Sequence, residues 1–90
     1  MRLDVFLKTS RLVKRRSVAK EMCDDGRVTV GGSAAKPGRE VRPGDVITIE
    51  LSRRVVDAEV VEIPSGNVPK ERAAELYRIL GERAVERELF

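Results

Sequence analysis

Residues 14–30, KRRSVAKEMCDDGRVTV, decide the fold because the hydrophobic period changes within them. The first part carries two adjacent rows of apolar residues at i,i+4 spacing, as in a helix that packs on a core along one face. These rows are formed by Val18 with Met22 and by Ala19 with Cys23. Gly26 suits the left-handed position that ends such a helix. From Arg27 the apolar residues alternate, which predicts a short strand and hence an α+β domain.

Toward the N-terminus, a shorter helix precedes this one. Leu3, Phe6 and Leu7 have the i, i+3, i+4 spacing of an amphipathic helix that ends near Ser10. Asp4 lies in its first turn, where a negative charge suits the helix dipole.

The segment from the end of the first predicted helix into the second, residues 8–20, is strongly basic. Six cations occur in thirteen consecutive residues without an acid: Lys8, Arg11, Lys14, Arg15, Arg16 and Lys20. Charge is also divided along the chain, with net +6 over residues 1–56 and net −3 over residues 57–90. A solvated helix face is one interpretation, but such a face usually mixes charges of both signs. We therefore predict a surface that binds a polyanion.

Beyond Gly26, turn residues separate short alternating segments, which predicts a small sheet. Strands are expected at residues 27–30, 33–36, 46–51 and 55–63, with Gly31-Gly32 as a two-residue hairpin turn. Ile47, Ile49 and Leu51 should face the helices, whereas Asp57, Glu59 and Glu62 should lie on a wetter surface. The predicted fold is therefore two N-terminal helices packed on a small twisted β-sheet.

The C-terminal part is predicted to be helical. Residues 64–68 are turn formers, and Pro69 can occupy the first position of a helix. An apolar stripe follows at helical spacing, formed by Ala73, Leu76, Tyr77, Leu80 and Ala84. This helix either packs on the sheet or docks on a protein partner. We divide the chain into a domain at 1–63 and a linker with a C-terminal helix at 64–90.

Several kinds of chemistry are disfavoured by composition. The chain has no His and a single Cys, so the commonest general base is missing and a disulfide within the chain or a thiolate zinc site cannot be built. Cys23 is interpreted as a small buried hydrophobic residue. No phosphate-binding loop or nucleophile elbow occurs. We expect a cytoplasmic binding protein that is not an enzyme, has no cofactor or metal and does not associate with membranes.

The kind of polyanion follows from the few aromatic residues. Only Phe6, Tyr77 and Phe90 are aromatic, and the first two occupy apolar stripes. A stacking platform for single-stranded bases needs exposed aromatic side chains. We therefore expect recognition of phosphates and folded shape, which favours structured RNA over DNA.

The motifs resemble a known RNA-binding domain. They are Arg2-Leu3-Asp4, Arg16-Ser17-Val18-Ala19, the run from Gly26 to Val30, Gly32, and Pro43-Gly44-Asp45 followed by two apolar residues. In this order they resemble the domain named for small-subunit ribosomal protein S-four, over about residues 2–51. The resemblance implies an αL-type RNA-binding motif, in which two helices and a nearby hairpin form a basic surface.

Nearly the whole chain is similar to a stand-alone bacterial family, RqcP (YabO). The similarity rests on the opening residues, on Ser10 to Arg16 and on Ala73 to Tyr77. It implies a ribosome quality-control factor that binds large-subunit ribosomal RNA and peptidyl-tRNA on obstructed subunits, and we expect the chain to be a monomer. With an RqcH-type partner, such a factor supports C-terminal alanine tailing. Two alternatives are a heat-shock-type large-subunit rescue protein and a protein-interaction module that docks through the C-terminal helix.

The resemblance also suggests which side chains contact RNA. The main candidates are Arg2, Arg11, Arg15 and Arg16, whose guanidinium groups can bind phosphates through two hydrogen bonds. Looser contacts are expected from Lys8, Lys14, Lys20 and Lys36, although each lysine alone can equally serve solubility. Asp4 is either an acid favoured by the helix dipole or a carboxylate that orients Arg2 or Arg16.

Overall fold

The computed structural model describes residues 1–84, in which helices pack on one antiparallel sheet. The helices are α1 (Leu3–Thr9), α2 (Arg16–Asp24) and α3 (Lys70–Ala73), the last continued by a 3-10 turn (Ala74–Leu76). The strands are β1 (Val28–Val30), β2 (Ser33–Ala34), β3 (Val46–Glu50), β4 (Arg54–Val60) and β5 (Tyr77–Ala84). They lie in the order β2-β1-β3-β4-β5. The predicted α+β class, with two N-terminal helices on a small sheet, is confirmed.

The hairpin between β1 and β2 has the predicted two-residue turn. Val30 pairs with Ser33, which leaves Gly31 and Gly32 between the strands. Their φ angles are 60° and 86°. A turn with positive φ at both central residues matches the twist of the strands, and glycine adopts it without steric cost.

The core lies between the two N-terminal helices and the sheet. Phe6, Leu3 and Leu7 of α1 are fully buried, and the β3 residues Ile47 and Ile49 face them as predicted. From α2 the buried residues are Ala19, Met22 and Cys23. Val18, by contrast, is 40% exposed, so of the row predicted to contain Val18 and Met22 only Met22 faces the core. The helix presents the 19, 22, 23 positions inward, and Val18 lies on the neighbouring face.

The segment after β2 attaches the N-terminus to the domain. The Leu3 N–H donates to the Arg39 carbonyl at 2.7 Å, and the Asp4 N–H donates to the Pro37 carbonyl at 3.1 Å. Arg2 forms an isolated antiparallel bridge with Glu40. Because these contacts satisfy N–H groups that a helix leaves unpaired at its start, α1 needs no side-chain cap.

The C-terminal helix is much shorter than predicted. It covers Lys70–Ala73 with one 3-10 turn, and residues 77–84 form strand β5, which pairs along β4. Ala73 and Leu76 of the predicted stripe are buried, whereas Leu80 is 51% exposed. The continuous helical docking face proposed from that stripe is therefore not formed. The boundary at residue 63 remains a prediction, and residues 85–90 of the predicted tail lie outside the described part.

Pairing with β4 explains why the helical spacing was misleading. Without β5, strand β4 would present an unpaired edge, and satisfying it outweighs a weak local helical pattern. Charge supports the pairing, because Arg78 lies opposite Glu59 and forms an ion pair with it. Arg83 donates to Asp57 at 3.4 Å. The carboxylates of β4, predicted to be merely solvated, thus have partners on β5.

A bulge interrupts this pairing. Asp57 lies opposite Gly81 and Ala58 lies opposite Ile79, so Leu80 is an extra residue on β5.

Within residues 1–84, no helix is long and apolar enough to cross a membrane.

Candidate nucleic-acid interface

The predicted cations are all exposed, and most lie on α1, α2 and the loop between them. Lys8 is in the last turn of α1, and Arg16 with Lys20 lies one turn apart on α2. All eight cations predicted to bind RNA are exposed: Arg2, Lys8, Arg11, Lys14, Arg15, Arg16, Lys20 and Lys36. Five of these eight cations fall into two groups with separate geometry.

The first group is held by one buried carboxylate. The Asp4 side chain is 1% exposed and lies between Arg2 and Arg16, with 3.2 Å from its oxygens to the Nε atom of each. The Nη2 atom of Arg2 donates to Asp4 Oδ2 at 3.3 Å, and the Val5 N–H donates to Oδ1 at 2.8 Å. Each carboxylate oxygen therefore accepts two hydrogen bonds. We call Arg2, Asp4 and Arg16 the arginine pair cluster.

The helices and the N-terminal attachment place these three residues together. Arg2 precedes α1 in extended conformation, Asp4 lies in the first turn of α1, and Arg16 begins α2. The guanidinium of Arg2 also lies beside Gly38, about 3.8 Å from where a Cβ atom would stand. A Cβ atom at that position would therefore be in ordinary van der Waals contact with the guanidinium.

The charges of the cluster set the ionisation of Asp4. Burial raises the pKa of Asp4, but the hydrogen bond and charge of Arg16, followed by the charge and hydrogen bond of Arg2, outweigh burial. The pKa therefore lies below its ordinary value of 3.8, and the carboxylate is ionised at neutral pH. One negative and two positive charges leave the cluster with net +1.

The two arginines keep donors free for a ligand. Their side chains are 50% and 55% exposed, although both contact a buried carboxylate. A guanidinium has five N–H donors, and within residues 1–84 Arg2 uses only its Nε and Nη2 atoms on side chains, while Arg16 uses Nε. The remaining donors belong to half-exposed guanidiniums, whose planar fork of N–H groups can bind phosphate oxygens in pairs.

Cys23 of α2 is buried, as predicted. Burial, followed by the charges of Asp4 and Asp24, raises the pKa of the thiol to about 11. The thiol is therefore protonated at neutral pH and packs as a small apolar group.

The second group of cations lines a cleft of about 680 Å³ beside α1. It includes Lys8, Arg11 and Lys14 from the predicted set. The cleft is also lined by Asn67, Val68 and Lys70, which sequence reasoning missed. No local signal links residue 70 to residue 8, because only the folding of the C-terminal segment brings them together. Arg15, Lys20 and Lys36 belong to neither group.

Arg11 has an unusual backbone in this cleft. Its φ is 63°, the one positive φ of a non-glycine residue among residues 1–84. The position follows the C-cap of α1, where glycine is the usual residue. An arginine in this left-handed conformation costs about 1–2 kcal/mol of backbone strain.

Two helices on a small antiparallel sheet, with cations displayed on the helices, define the class of S4 domains, and residues 1–47 match that family. More particularly, the chain belongs to the family of the RQC P-site tRNA stabilizing factors, as its resemblance to RqcP (YabO) indicated. The factor of this name from Bacillus subtilis is 46% identical over 82 residues, covering 91% of this chain and 94% of that protein.

Heat shock protein 15 is a second, more distant relative. The Escherichia coli protein is 31% identical over 88 residues, which cover 98% of this chain and 66% of that protein. The trimeric structure of the Vibrio cholerae Heat Shock Protein 15 superposes with a TM-score of 0.81 at 32% identity, covering 88% of this chain and 80% of the other.

Proposed function

We propose that this chain binds obstructed large ribosomal subunits that carry peptidyl-tRNA, and that it does so by binding RNA phosphates. The observation that carries the proposal is the arginine pair cluster. The guanidiniums of Arg2, which precedes α1, and of Arg16, which begins α2, share one buried carboxylate, and both side chains are about half exposed.

The geometry suggests how the cluster acts on RNA. Asp4 restricts both side chains before RNA arrives, so less side-chain entropy is lost on binding. Each guanidinium can then donate two parallel hydrogen bonds to one phosphate. Contacts of this kind fix position on folded RNA without reading its sequence. The protein performs no chemistry in this proposal, so it is a binding factor and not an enzyme.

The relatives supply the biological setting. The Bacillus subtilis relative is named for stabilizing P-site tRNA, which agrees with binding beside peptidyl-tRNA on a large subunit. We extend the proposal to an RqcH-type partner and to C-terminal alanine tailing in the cytoplasm, as the family resemblance implies. In this scheme the factor holds the tRNA while the partner adds alanine.

A second candidate function is rescue of large subunits in the manner of a heat-shock protein. The TM-score of 0.81 to the Vibrio cholerae Heat Shock Protein 15 favours it. The charge of residues 57–90, net −3, favours the first function, because the resemblance to the heat-shock family would imply a more basic tail.

Sedimentation with purified large subunits tests the proposal. We expect wild-type protein to co-sediment with subunits that carry peptidyl-tRNA and to bind more weakly after the tRNA is removed. Arg16→Ala should lower the affinity by about 1–3 kcal/mol, the contribution of a hydrogen bond that involves a charge. Unchanged co-sedimentation of folded Arg16→Ala protein would contradict the assigned site.

Arg83→Ala is the matched control. Arg83 is 63% exposed on β5 and pairs with Asp57, so its loss changes the net charge equally but leaves the helices untouched.

In a reconstituted reaction with an RqcH-type factor, omission of this chain should shorten alanine tails. Tails of equal length would contradict the tailing role, and equal binding with and without tRNA would contradict binding beside peptidyl-tRNA.

A further inference from the structure

The cleft beside α1 concentrates positive charge that no acid among residues 1–84 pairs with. Four of its lining residues are cations: Lys8, Arg11, Lys14 and Lys70. Within residues 1–84, none of these four forms an ion pair. Like charges that converge on one concave surface repel one another, and a bound anion would relieve this repulsion.

The origin of the fourth cation is informative. The chain after residue 56 is net acidic, and its other described arginines bond to carboxylates, as Arg72 does to Glu62 and Glu75. Lys70, two residues from Arg72, instead lines the cleft with the N-terminal cations. Asn67 adds an amide that can donate or accept, and Val68 adds an apolar wall.

The backbone of Arg11 is an independent observation on the same cleft. Glycine would adopt φ 63° after the end of α1 without strain, yet an arginine stands there and lines the cleft. Strain of this sort concentrates at functional sites, where the side chain matters more than the backbone energy.

We propose that this cleft is a second phosphate-binding site, separate from the arginine pair cluster and completed by Asn67 and Lys70 of the C-terminal segment. It takes phosphate groups of an RNA strand, and it rests on the proposed function for the identity of that RNA. Its volume of about 680 Å³ lies within the range of sites for small ligands, so the cleft has room for the phosphate of a strand together with part of its nucleotide. The two sites share no residue, so one RNA surface can contact both at different phosphates.

The site predicts binding of a small phosphate compound as well as RNA. We would titrate the full chain with inorganic pyrophosphate and follow backbone amide signals by NMR. Signals of Arg11, Asn67 and Lys70 should shift together, and Lys70→Gln should weaken this binding. Arg72→Gln, with the same loss of charge on α3 but outside the cleft, should not weaken it.

Binding to large subunits over a range of salt concentrations distinguishes RNA from free phosphate as the ligand. Lys70→Gln or Lys14→Gln should reduce the slope of log affinity against log salt by about 0.7–0.9, the loss of one phosphate contact. The Arg72→Gln control should keep the wild-type slope. Combined with Arg16→Ala, the Lys70→Gln effect should add, as for independent sites.

The outcomes separate this proposal from the proposed function. If wild-type protein binds subunits but Lys70→Gln and Arg72→Gln behave alike in both assays, the second site is overturned and the proposed function stands. If pyrophosphate binds the cleft but the subunit slope does not change, the site is not an RNA site and the proposal is overturned. If wild-type protein does not bind subunits, the proposed function fails, and the pyrophosphate titration still shows whether the cleft binds phosphate.

Discussion

Replacement of Asp4 by asparagine distinguishes the two interpretations of this carboxylate. If Asp4 is only an acid favoured by the helix dipole, Asp4→Asn removes a negative charge from a basic surface and should tighten RNA binding. If Asp4 orients Arg2 and Arg16, the same change should weaken RNA binding although it adds positive charge. The two interpretations therefore predict effects of opposite sign.

The contacts give the expected size of the effect. An asparagine can keep a carbonyl oxygen at Oδ1 for the Val5 N–H, but its NH₂ group then faces the two arginine donors now bonded to Oδ2. Two charged hydrogen bonds are lost, although the half-exposed guanidiniums recover water. We expect unfolding to become easier by about 2 kcal/mol. For a domain of this size, that corresponds to a fall in Tm of about 8–16 °C.

Loss of orientation should also weaken RNA binding by about tenfold, equivalent to about 1.4 kcal/mol. Binding to large subunits and urea unfolding at pH 7 measure the two effects. Glu21→Gln, the same charge change at an exposed position of α2, is the control, and it should leave stability unchanged and tighten binding slightly.

The pH dependence of folding stability is an independent test of whether the ionised form of Asp4 stabilises the fold. The pKa of Asp4 in the folded chain lies below 3.8, so its ionised form stabilises the fold at neutral pH, and this contribution is lost as pH falls through that pKa. The stability difference between wild type and Asp4→Asn should therefore shrink below pH 3.8. Tighter RNA binding by Asp4→Asn, or a stability difference that does not change with pH, would refute the orienting role.

Three further substitutions test individual features by urea unfolding. Arg11→Gly should stabilise the fold by about 0.5–1 kcal/mol, because the left-handed strain that it removes exceeds the extra chain entropy that glycine loses on folding, and an equal loss of stability would show that φ 63° is not strained. Gly32→Ala should cost about 1–2 kcal/mol at φ 86°, whereas Gly66→Ala should be neutral; equal effects would contradict the turn geometry. Arg78→Ala should cost less than about 1 kcal/mol, because its ion pair with Glu59 is exposed, and a much larger loss would show that β5 depends on it.

The parts of the fold that depend on neighbouring residues could be predicted from the sequence. Gly31-Gly32 specifies its turn because few residues tolerate two positive φ angles in succession. The alternation of Ile47 and Ile49 predicts the buried face of β3, since successive side chains on a strand point to opposite faces. Both signals depend only on residues that are close in the chain.

β5 could not be predicted because its reason lies in another strand. Tyr77 and Leu80 fit a helical stripe, but the backbone groups of β4 and its Glu59 supply hydrogen bonds and charge that no local pattern shows. Tertiary pairing of this kind commonly overrides a short helical pattern.

The sequence indicates which residues form most of the candidate site, but it predicts only in part how those residues contact one another. The basic run singled out Arg16, and the first turn of α1 singled out Asp4, yet their contact depends on how α1 crosses α2. Lys70 carried no signal, since it lies in a segment whose net charge is acidic.

The central claim is that Arg2 and Arg16 bind RNA phosphates, and the salt dependence of binding to large subunits tests it most directly. Affinity should be measured from low to high salt for wild type and for protein that carries both Arg2→Ala and Arg16→Ala. We predict a steep wild-type slope that falls by about 1.4–1.8 in the double variant, as for two lost phosphate contacts. A flat wild-type response, or a double variant with the wild-type slope, would contradict phosphate recognition by this cluster.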